Sequence, residues 1–380
     1  MSIIIFIVII LVLVVSHEFG HFIVAKMNNI RVDEFSFGFP PKIYGKKIGE
    51  TTYNLNALPF GGYVKIYGEN INEADLLEVG FLDKEETPEK LELAERSLIN
   101  KPKYIQALVM VAGVAMNFLV AWLLLSIGFM SGLPSSVGMA PHGAIVNNQY
   151  LTVTSIVKGS PAEMVGLKIG DKLLALDTTT DSTKLLSSNL GAENVQSFIK
   201  KHGGEQVKIE FIRAKETKEL EVTPINNKDG VPAIGIAMDT IGTLELPIHR
   251  AVWEGLKLTT DLTISTAVGF YTLISQAIMG KGDMSAVTGP IGIVGVVGDA
   301  AKFGFVYLLS FTALISVNLA VINLLPFPAL DGGRLLFLLI EKIKGSRIKP
   351  KISNAVNMIG FGLLMLLMVV ITYHDITKLL

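Results

Sequence analysis

The stretch His17-Glu18-Phe19-Gly20-His21 carries the clearest chemistry in this sequence. On a helix, residues four apart lie one turn apart on the same face, so both imidazoles can bind one zinc ion. Glu18, next to the first histidine, is placed to act as general base on a water held by that metal. The chain has no cysteine, so any metal is held by nitrogen and oxygen. The motif alone can arise by chance, but here it interrupts an apolar run from about Ile3 to Ala25. Two histidines and a glutamate are costly in such a run unless they have partners. Metal-assisted hydrolysis is the leading reading; a polar helix-packing cluster or a proton or ion pathway of a transporter would use similar residues.

Zinc in this motif needs a third protein ligand. The best candidate lies far along the chain, in Asn323-Leu-Leu-Pro-Phe-Pro-Ala-Leu-Asp331-Gly-Gly333. Pro326 and Pro328 cannot sit in a regular helix interior, so the backbone breaks there and lets Asp331 turn inward. The alternative for Asp331 is a turn residue or helix cap.

The elements that must position these groups are membrane spans. Half the residues are hydrophobic and only 18% are charged, against about 25% in soluble domains. Four runs are long enough to cross a hydrocarbon core: about Ile3–Ala25, Ile105–Gly132, Phe305–Leu325 and Ile352–Tyr373. The first lacks the basic flank and cleavage site of a signal peptide and reads as a retained span. Phe270–Met279 is too short to span and reads as re-entrant or interfacial. Lysines and arginines between the first and second runs, and between the third and fourth, make both connections cytoplasmic. Both termini and the segment 135–304 then lie on the other side. A net charge of −1 gives no sign of a nucleic-acid partner.

Residues 150–225 read as a small separate domain. Tyr150–Val157 alternates as a strand; Gly159–Gly166 is a turn and short helix; Leu167–Leu176 is a tight turn and strand. Asn194–Lys200 has helical spacing with Asn194 as N-cap, and Gln206–Arg213 with Glu219–Thr223 form a hairpin. Thr51–Gly68, containing Leu58-Pro-Phe-Gly-Gly-Tyr-Val-Lys-Ile66, reads as a β-hairpin dipping towards the membrane, or as a surface hairpin. A strand edge cannot rest unpaired in lipid, so at membrane depth it must pack on the bundle or line a wet cavity, where it can offer that edge to another extended chain. Asn70–Asn100 is acidic and reads as a solvated helix or flexible stretch.

Ser160–Leu167 followed by Gly170-Asp171 resembles a PDZ domain, a module that binds peptide ends or strands. Over nearly its whole length the chain closely resembles the site-2 protease family, and within it the bacterial regulators of sigma-E proteolysis. The residues that carry this are His17–His21, the hairpin Gly61-Gly62-Tyr63, Gly113-Val-Ala-Met-Asn117, the PDZ-like stretch, Ser285–Gly292 and Asn323–Gly333. The resemblance implies a zinc metalloendopeptidase that cleaves transmembrane segments, with Zn2+ held by His17, His21 and Asp331 and with Glu18 as the catalytic acid–base. It implies that Asn323 holds substrate or the oxyanion, that Pro326 and Pro328 stand beside the active site, and that Gly113 and Asn117 allow close helix contact near the metal. The hairpin residues Gly61, Gly62, Tyr63, Val64 and Lys65 would pair with an unwound substrate helix.

The expected fold is a multi-span α-helical membrane protein of about four transmembrane helices, with a membrane-associated β-hairpin and an inserted extracytoplasmic PDZ (α+β) domain. Its expected parts are a membrane core at 1–132, the PDZ domain at 150–225, an extracytoplasmic linker or amphipathic region at 226–304, and a second membrane core at 305–380. Expected partners are single-span substrates such as anti-sigma factors or signal-peptide remnants, and a peptide on the PDZ domain. The expected location is a bacterial cytoplasmic membrane, with the active site towards the cytoplasm. Enterobacterial members resemble a tandem-PDZ arrangement, whereas this chain has room for one module. The contrasting reading is an inactive binding or transport protein of the same fold.

Overall fold

The apolar run that holds the histidine motif forms one helix, α1 (Ser2–Met27), and the chain then turns into two long strands, β1 (Val32–Ile48) and β2 (Thr51–Ile66). A short α2 (Pro88–Glu95) precedes α3 (Lys103–Met130). Then come β3 (Leu133–Ser136), β4 (Ile145–Ile156), α4 (Pro161–Met164), β5 (Lys172–Thr178), β6 (Leu185–Leu186) and α5 (Ala192–Lys201). The strands β7 (Val207–Arg213), β8 (Glu216–Val222), β9 (Ile225–Asn226), β10 (Pro232–Ala233) and β11 (Ile236–Glu245) follow. The chain closes with α6 (Ile248–Ile278), α7 (Pro290–Phe303), α8 (Phe305–Leu324), α9 (Asp331–Lys344) and α10 (Pro350–Leu379). This computed structural model describes residues 2–69, 88–139, 144–178, 185–186, 190–213, 216–227, 230–280 and 288–379. Residues 285–287 of the Ser285–Gly292 stretch and 70–87 of the acidic stretch lie outside them. The chain divides into two units, 1–126 with 252–380, and 127–251.

Among the described residues, four helices are long and apolar enough to cross a membrane: α1, α3, α8 and Pro350–Thr377 of α10. The buried residues of α1 recur at three- and four-residue spacing, Leu13, His17, Gly20, His21 and Ala25, so the histidines share the face that packs inward. A Cβ on Gly20 would lie 2.3 Å from the carbonyl oxygen of Ala112 in α3; this glycine lets two helices meet backbone to backbone, the packing that membrane helices favour. Ala121 and Leu125 of α3 pack on Ala313, Val317 and Val321 of α8. Ile9 and Leu13 of α1 pack on Val297 of α7.

The hairpin differs from the expectation. Thr51–Gly68 does not fold back on itself but pairs with Val32–Ile48, and the first part of β1 is flanked on both sides. Phe35 stands opposite both Val64 and Tyr53, and Phe37 opposite both Gly62 and Leu55. Two adjacent prolines, Pro40 and Pro41, weaken the strand signal of this segment. Phe22 of α1 meets Phe35 and Tyr53 with ring centroids 5.4 and 6.2 Å apart, an aromatic cluster that fixes the sheet to the motif helix. At the β1–β2 turn Glu50 accepts bonds from Lys26, at the end of α1, and from Arg96 at 2.5 Å.

In the second unit the strands run in the order β3-β11-β4-β5-β7-β8, with β6 beside β5 and every pairing antiparallel. Leu151, Val153, Leu176, Ile209 and Phe211 form its core with Val195, Phe198 and Ile199 of α5. Ser160 caps α4 by accepting from the Glu163 amide, and Glu163 reaches back to the Gly159 amide at 2.6 Å, one residue before the cap amide that a capping box uses. Asn194 is not the N-cap of α5: that position is Gly191, in extended conformation. Ala192 and Glu193 extend the helix, and the acidic Glu193 suits its first turn. Phe270–Met279 is not a separate segment; all but its last residue belongs to the 31-residue α6.

Partial burial pushes the Glu50 carboxyl up, but the hydrogen bonds from Lys26 and Arg96 outweigh it and hold its pKa below the ordinary glutamate value. A lowered folded-state pKa contributes stability that is full above the unfolded value and is lost as pH falls through the folded one. Thermal unfolding in detergent from pH 6 down to pH 3 is therefore expected to show a smaller acid loss for Glu50→Gln than for wild type.

Candidate metal centre and its surroundings

Three side chains from the two ends of the chain converge in the first unit. His17 Nε2 lies 3.1 Å and His21 Nε2 3.3 Å from Asp331 Oδ2, and the two Nε2 atoms are 3.1 Å apart. Ligands about 2.0–2.2 Å from a tetrahedral zinc stand roughly 3.3 Å from one another, so the triangle has the size the ion requires. Both histidines are more than nine-tenths buried. Asp331 Oδ2, also buried, accepts no conventional hydrogen bond, as suits an oxygen whose partner is a cation. Two nitrogens and an oxygen are a donor set that zinc takes readily.

The atoms behind these three groups orient them. His21 Nδ1 is 2.7 Å from the carbonyl oxygen of Val109, to which it donates, leaving the Nε2 lone pair free for the ion. His17 Nδ1 is 3.3 Å from the amide of fully buried Asn117. The atom facing His17 Nδ1 is Asn117 Nδ2; with Nε2 bound to a metal, Nδ1 carries the proton, and turning the amide over brings the otherwise unpartnered Oδ1 round to accept it. Ser316 of α8 donates to the Asn117 carbonyl at 2.7 Å.

Asp331 opens α9 because the chain breaks after Leu324. Within the break Ala329 takes a positive φ of 73°, and its amide donates to Asn357 Oδ1 at 3.2 Å. A Cβ on Gly332 would lie 2.2 Å from the Leu325 carbonyl oxygen, and one on Gly333 2.2 Å from that of Phe327. The glycine pair therefore lets α9 start hard against the loop that delivers it, as the prolines of that loop require. Pro328 packs on Gly360 of α10. Asn323 stands half-buried on the last turn of α8.

Glu18 Oε2 accepts the Val64 amide at 3.0 Å, which leaves Oε1 for a proton. A Cβ on Gly62 would lie 3.8 Å from Glu18 Cγ. The segment Gly61–Ile66 thus runs beside the motif. Sequence reading passed over Val109 and Ser316, since a backbone carbonyl and a lone serine carry no spacing signal. It also passed over Arg334, one turn beyond Asp331, which pairs with Glu69.

The match to a family model, Peptidase family M50, spans residues 5–367. The chain is 30% identical to the regulator of sigma-W protease RasP of Bacillus subtilis, over 100% of this chain and 99% of that protein. It is 29% identical to the zinc metalloprotease RasP of Geobacillus kaustophilus, over 99% and 98%. A Clostridium perfringens protein whose name classes it with zinc metalloproteases is 36% identical, over 96% and 95%. A PDZ-domain crystal structure from Listeria monocytogenes aligns with 25% of this chain and 92% of that domain, at 23% identity and a TM-score of 0.20.

Gly113 tests the centre directly. A Cβ there would lie 2.4 Å from His21 Nε2 and 2.6 Å from His17 Cε1. Gly113→Ala is expected to weaken zinc binding roughly 10-fold or more, read by metal analysis against a competing chelator. Gly362→Ala, where a Cβ meets open space, is expected to leave zinc affinity unchanged. The whole-length family match and the metal-sized triangle around Glu18 agree: the chain belongs to peptidase family M50 and is a zinc-dependent membrane metalloprotease.

Proposed function

We propose that the protein cleaves a peptide bond within or near a transmembrane helix of a single-span membrane protein, with His17, His21 and Asp331 as zinc ligands and Glu18 as acid–base. The observation that carries this is the placement of Glu18, which follows His17 in the motif and is oriented by the Val64 amide of the Gly61–Ile66 strand. Zinc, when bound, supplies Lewis acidity towards a peptide carbonyl and a water. Glu18 takes the proton of that water on Oε1 and delivers it to the leaving nitrogen. Asn323 holds substrate or the developing oxyanion. Gly113 keeps space for the ligands, and Asn117 and Val109 hold the imidazoles. A substrate helix must unwind before its carbonyls can react, and pairing with Gly61, Gly62, Tyr63 and Val64 offsets the hydrogen bonds it loses.

The Bacillus subtilis relative carries regulation of sigma-W in its name. We extend this class to the present chain: its substrates are anti-sigma factors, signal-peptide remnants or similar membrane-bound precursors. The lysines and arginines of the two connecting loops support a centre towards the cytoplasmic side of a bacterial cytoplasmic membrane, with the PDZ-like unit on the other side. There the unit admits substrates whose bulky outer domain has been removed. A non-proteolytic binding or transport protein of the same fold has no use for a glutamate held in this position.

The test is cleavage of a tagged single-span substrate by purified protein, wild type beside Glu18→Gln, with zinc quantified in both. Zinc in both and a rate at least roughly 100-fold lower in the variant are expected; equal rates would sink the assignment. The PDZ-like role is tested by deletion. The Phe129 carbonyl accepts the Leu246 amide at 2.9 Å, so a short linker can replace the intervening sheet. The shortened protein is expected to cleave untrimmed substrates that wild type rejects; unchanged selectivity would remove the filter.

A further inference from the structure

The strand Gly61–Ile66 has one edge turned to the motif and two chemically different faces; their bearing on substrate choice rests on the proteolytic reading. This segment is bordered on one side by the Val32–Phe37 part of β1. The Val64 amide turns the other way, to Glu18. In an antiparallel pair the N–H and C=O of one residue point to the same side, and the direction repeats every second residue. The main-chain groups of Gly62 and Val64 therefore form the edge that faces the motif.

Side chains alternate between the faces of that edge. On one face Val64 and Ile66 are buried against Phe35, Ala25 and Ile30, and Gly62 looks onto Val14 and Glu18. On the other, Tyr63 donates to Glu34 Oε2 at 3.0 Å, Asn54 donates to the same oxygen at 3.0 Å, and Lys65 Nζ stands 3.9 Å from Glu34 Oε1. The Lys65 side chain is 62% exposed. Glu34 sits one strand further in, so on this face Lys65 is the charge nearest to anything added at the edge, while Glu18 stands on the face of Gly62 and Val64. A strand added there lies about 4.8 Å beyond Lys65, within reach of its side chain.

We infer that this edge reads its substrate with a two-residue period. Side chains beside Gly62 and Val64 must be small or apolar; those beside Tyr63 and Lys65 face the polar side, where Lys65 favours an acidic residue. The recognised substrate is therefore an unwound segment with polar or acidic residues at alternate positions, rather than a uniformly apolar one. Lys65 acts here as a specificity-determining residue.

The experiment uses the full-length, zinc-loaded protein and a single-span model substrate. Leu, Asp or Lys is placed singly at successive positions on either side of the cleaved bond, and kcat/KM is measured for each. The expected result is tolerance of charge at alternate positions only. At one of them wild type prefers Asp over Lys by roughly two- to fivefold at low salt. Lys65→Glu reverses that ratio, and Lys65→Arg keeps it; the ratio is internal to each variant, so partial loss of folded protein does not alter it. Tolerance at consecutive positions, or an unchanged Asp-to-Lys ratio in a Lys65→Glu protein that still cleaves the Leu substrate, would overturn the inference. Failure of zinc-loaded wild type to cleave any substrate would overturn the proteolytic reading and this inference with it.

Discussion

A carboxylate and two imidazoles gathered among apolar helices are the constraint on which the rest of this structure depends. Moving one carboxylate-sized charge into a low-dielectric interior costs of order 20 kcal/mol in the idealised limit, more than the roughly 5–15 kcal/mol of net stability a protein has. Such a group persists only with a matched cation and with neighbours placed by the fold. Here the fold brings helices unusually close. Gly20 admits the backbone of α3, Gly113 leaves room for the histidine rings, and Gly332 with Gly333 seats α9 on its own loop. Each glycine gives up side-chain packing to bring a backbone or a ligand closer.

The sheet answers a second constraint. An extended segment beside a membrane helix must find partners for its main-chain groups. Two strands solve this by wrapping: the first part of β1 is paired on both sides, and one outer edge is left beside the motif, where Glu18 satisfies the Val64 amide. The aromatic contacts of Phe22, Phe35 and Tyr53 hold the sheet against α1. The position of the edge relative to the glutamate is therefore set by packing rather than by the loop itself.

Much of this was legible in the sequence, for reasons that can be named. The four spans show as long uncharged runs, and α1, α3, α8 and α10 fall where those runs are. The i, i+4 histidines and the proline-broken Asn323–Gly333 carry their geometry in their spacing, and the structure brings them together. The short strands of 150–225 alternate cleanly and reappear as β4, β5, β7 and β8. What was hidden depends on tertiary partners. Val32–Ile48 looks like a poor strand because Pro40 and Pro41 interrupt it, yet its first part, Val32–Phe37, lies in the interior of the sheet. Ile236–Glu245 joins the sheet beside β4 without a strong pattern of its own. Asn194 has the side chain of an N-cap, but the helix starts earlier because Ala192 and Glu193 continue it. The bonds from Val109 and Ser316 to the site are backbone or single hydroxyl contacts, which leave no periodic trace.

The proposed ligands come from opposite ends of the chain, His17 and His21 from the first helix and Asp331 from the turn after α8. During synthesis the two histidines and Glu18 enter the membrane long before the aspartate leaves the ribosome. Two imidazoles alone make an incomplete cage, so the growing chain holds no finished hydrolytic centre while its neighbours are being inserted. Activity is deferred until Asp331 has been made. On the proposed ligand set, a chain cut short before Asp331 lacks the third donor.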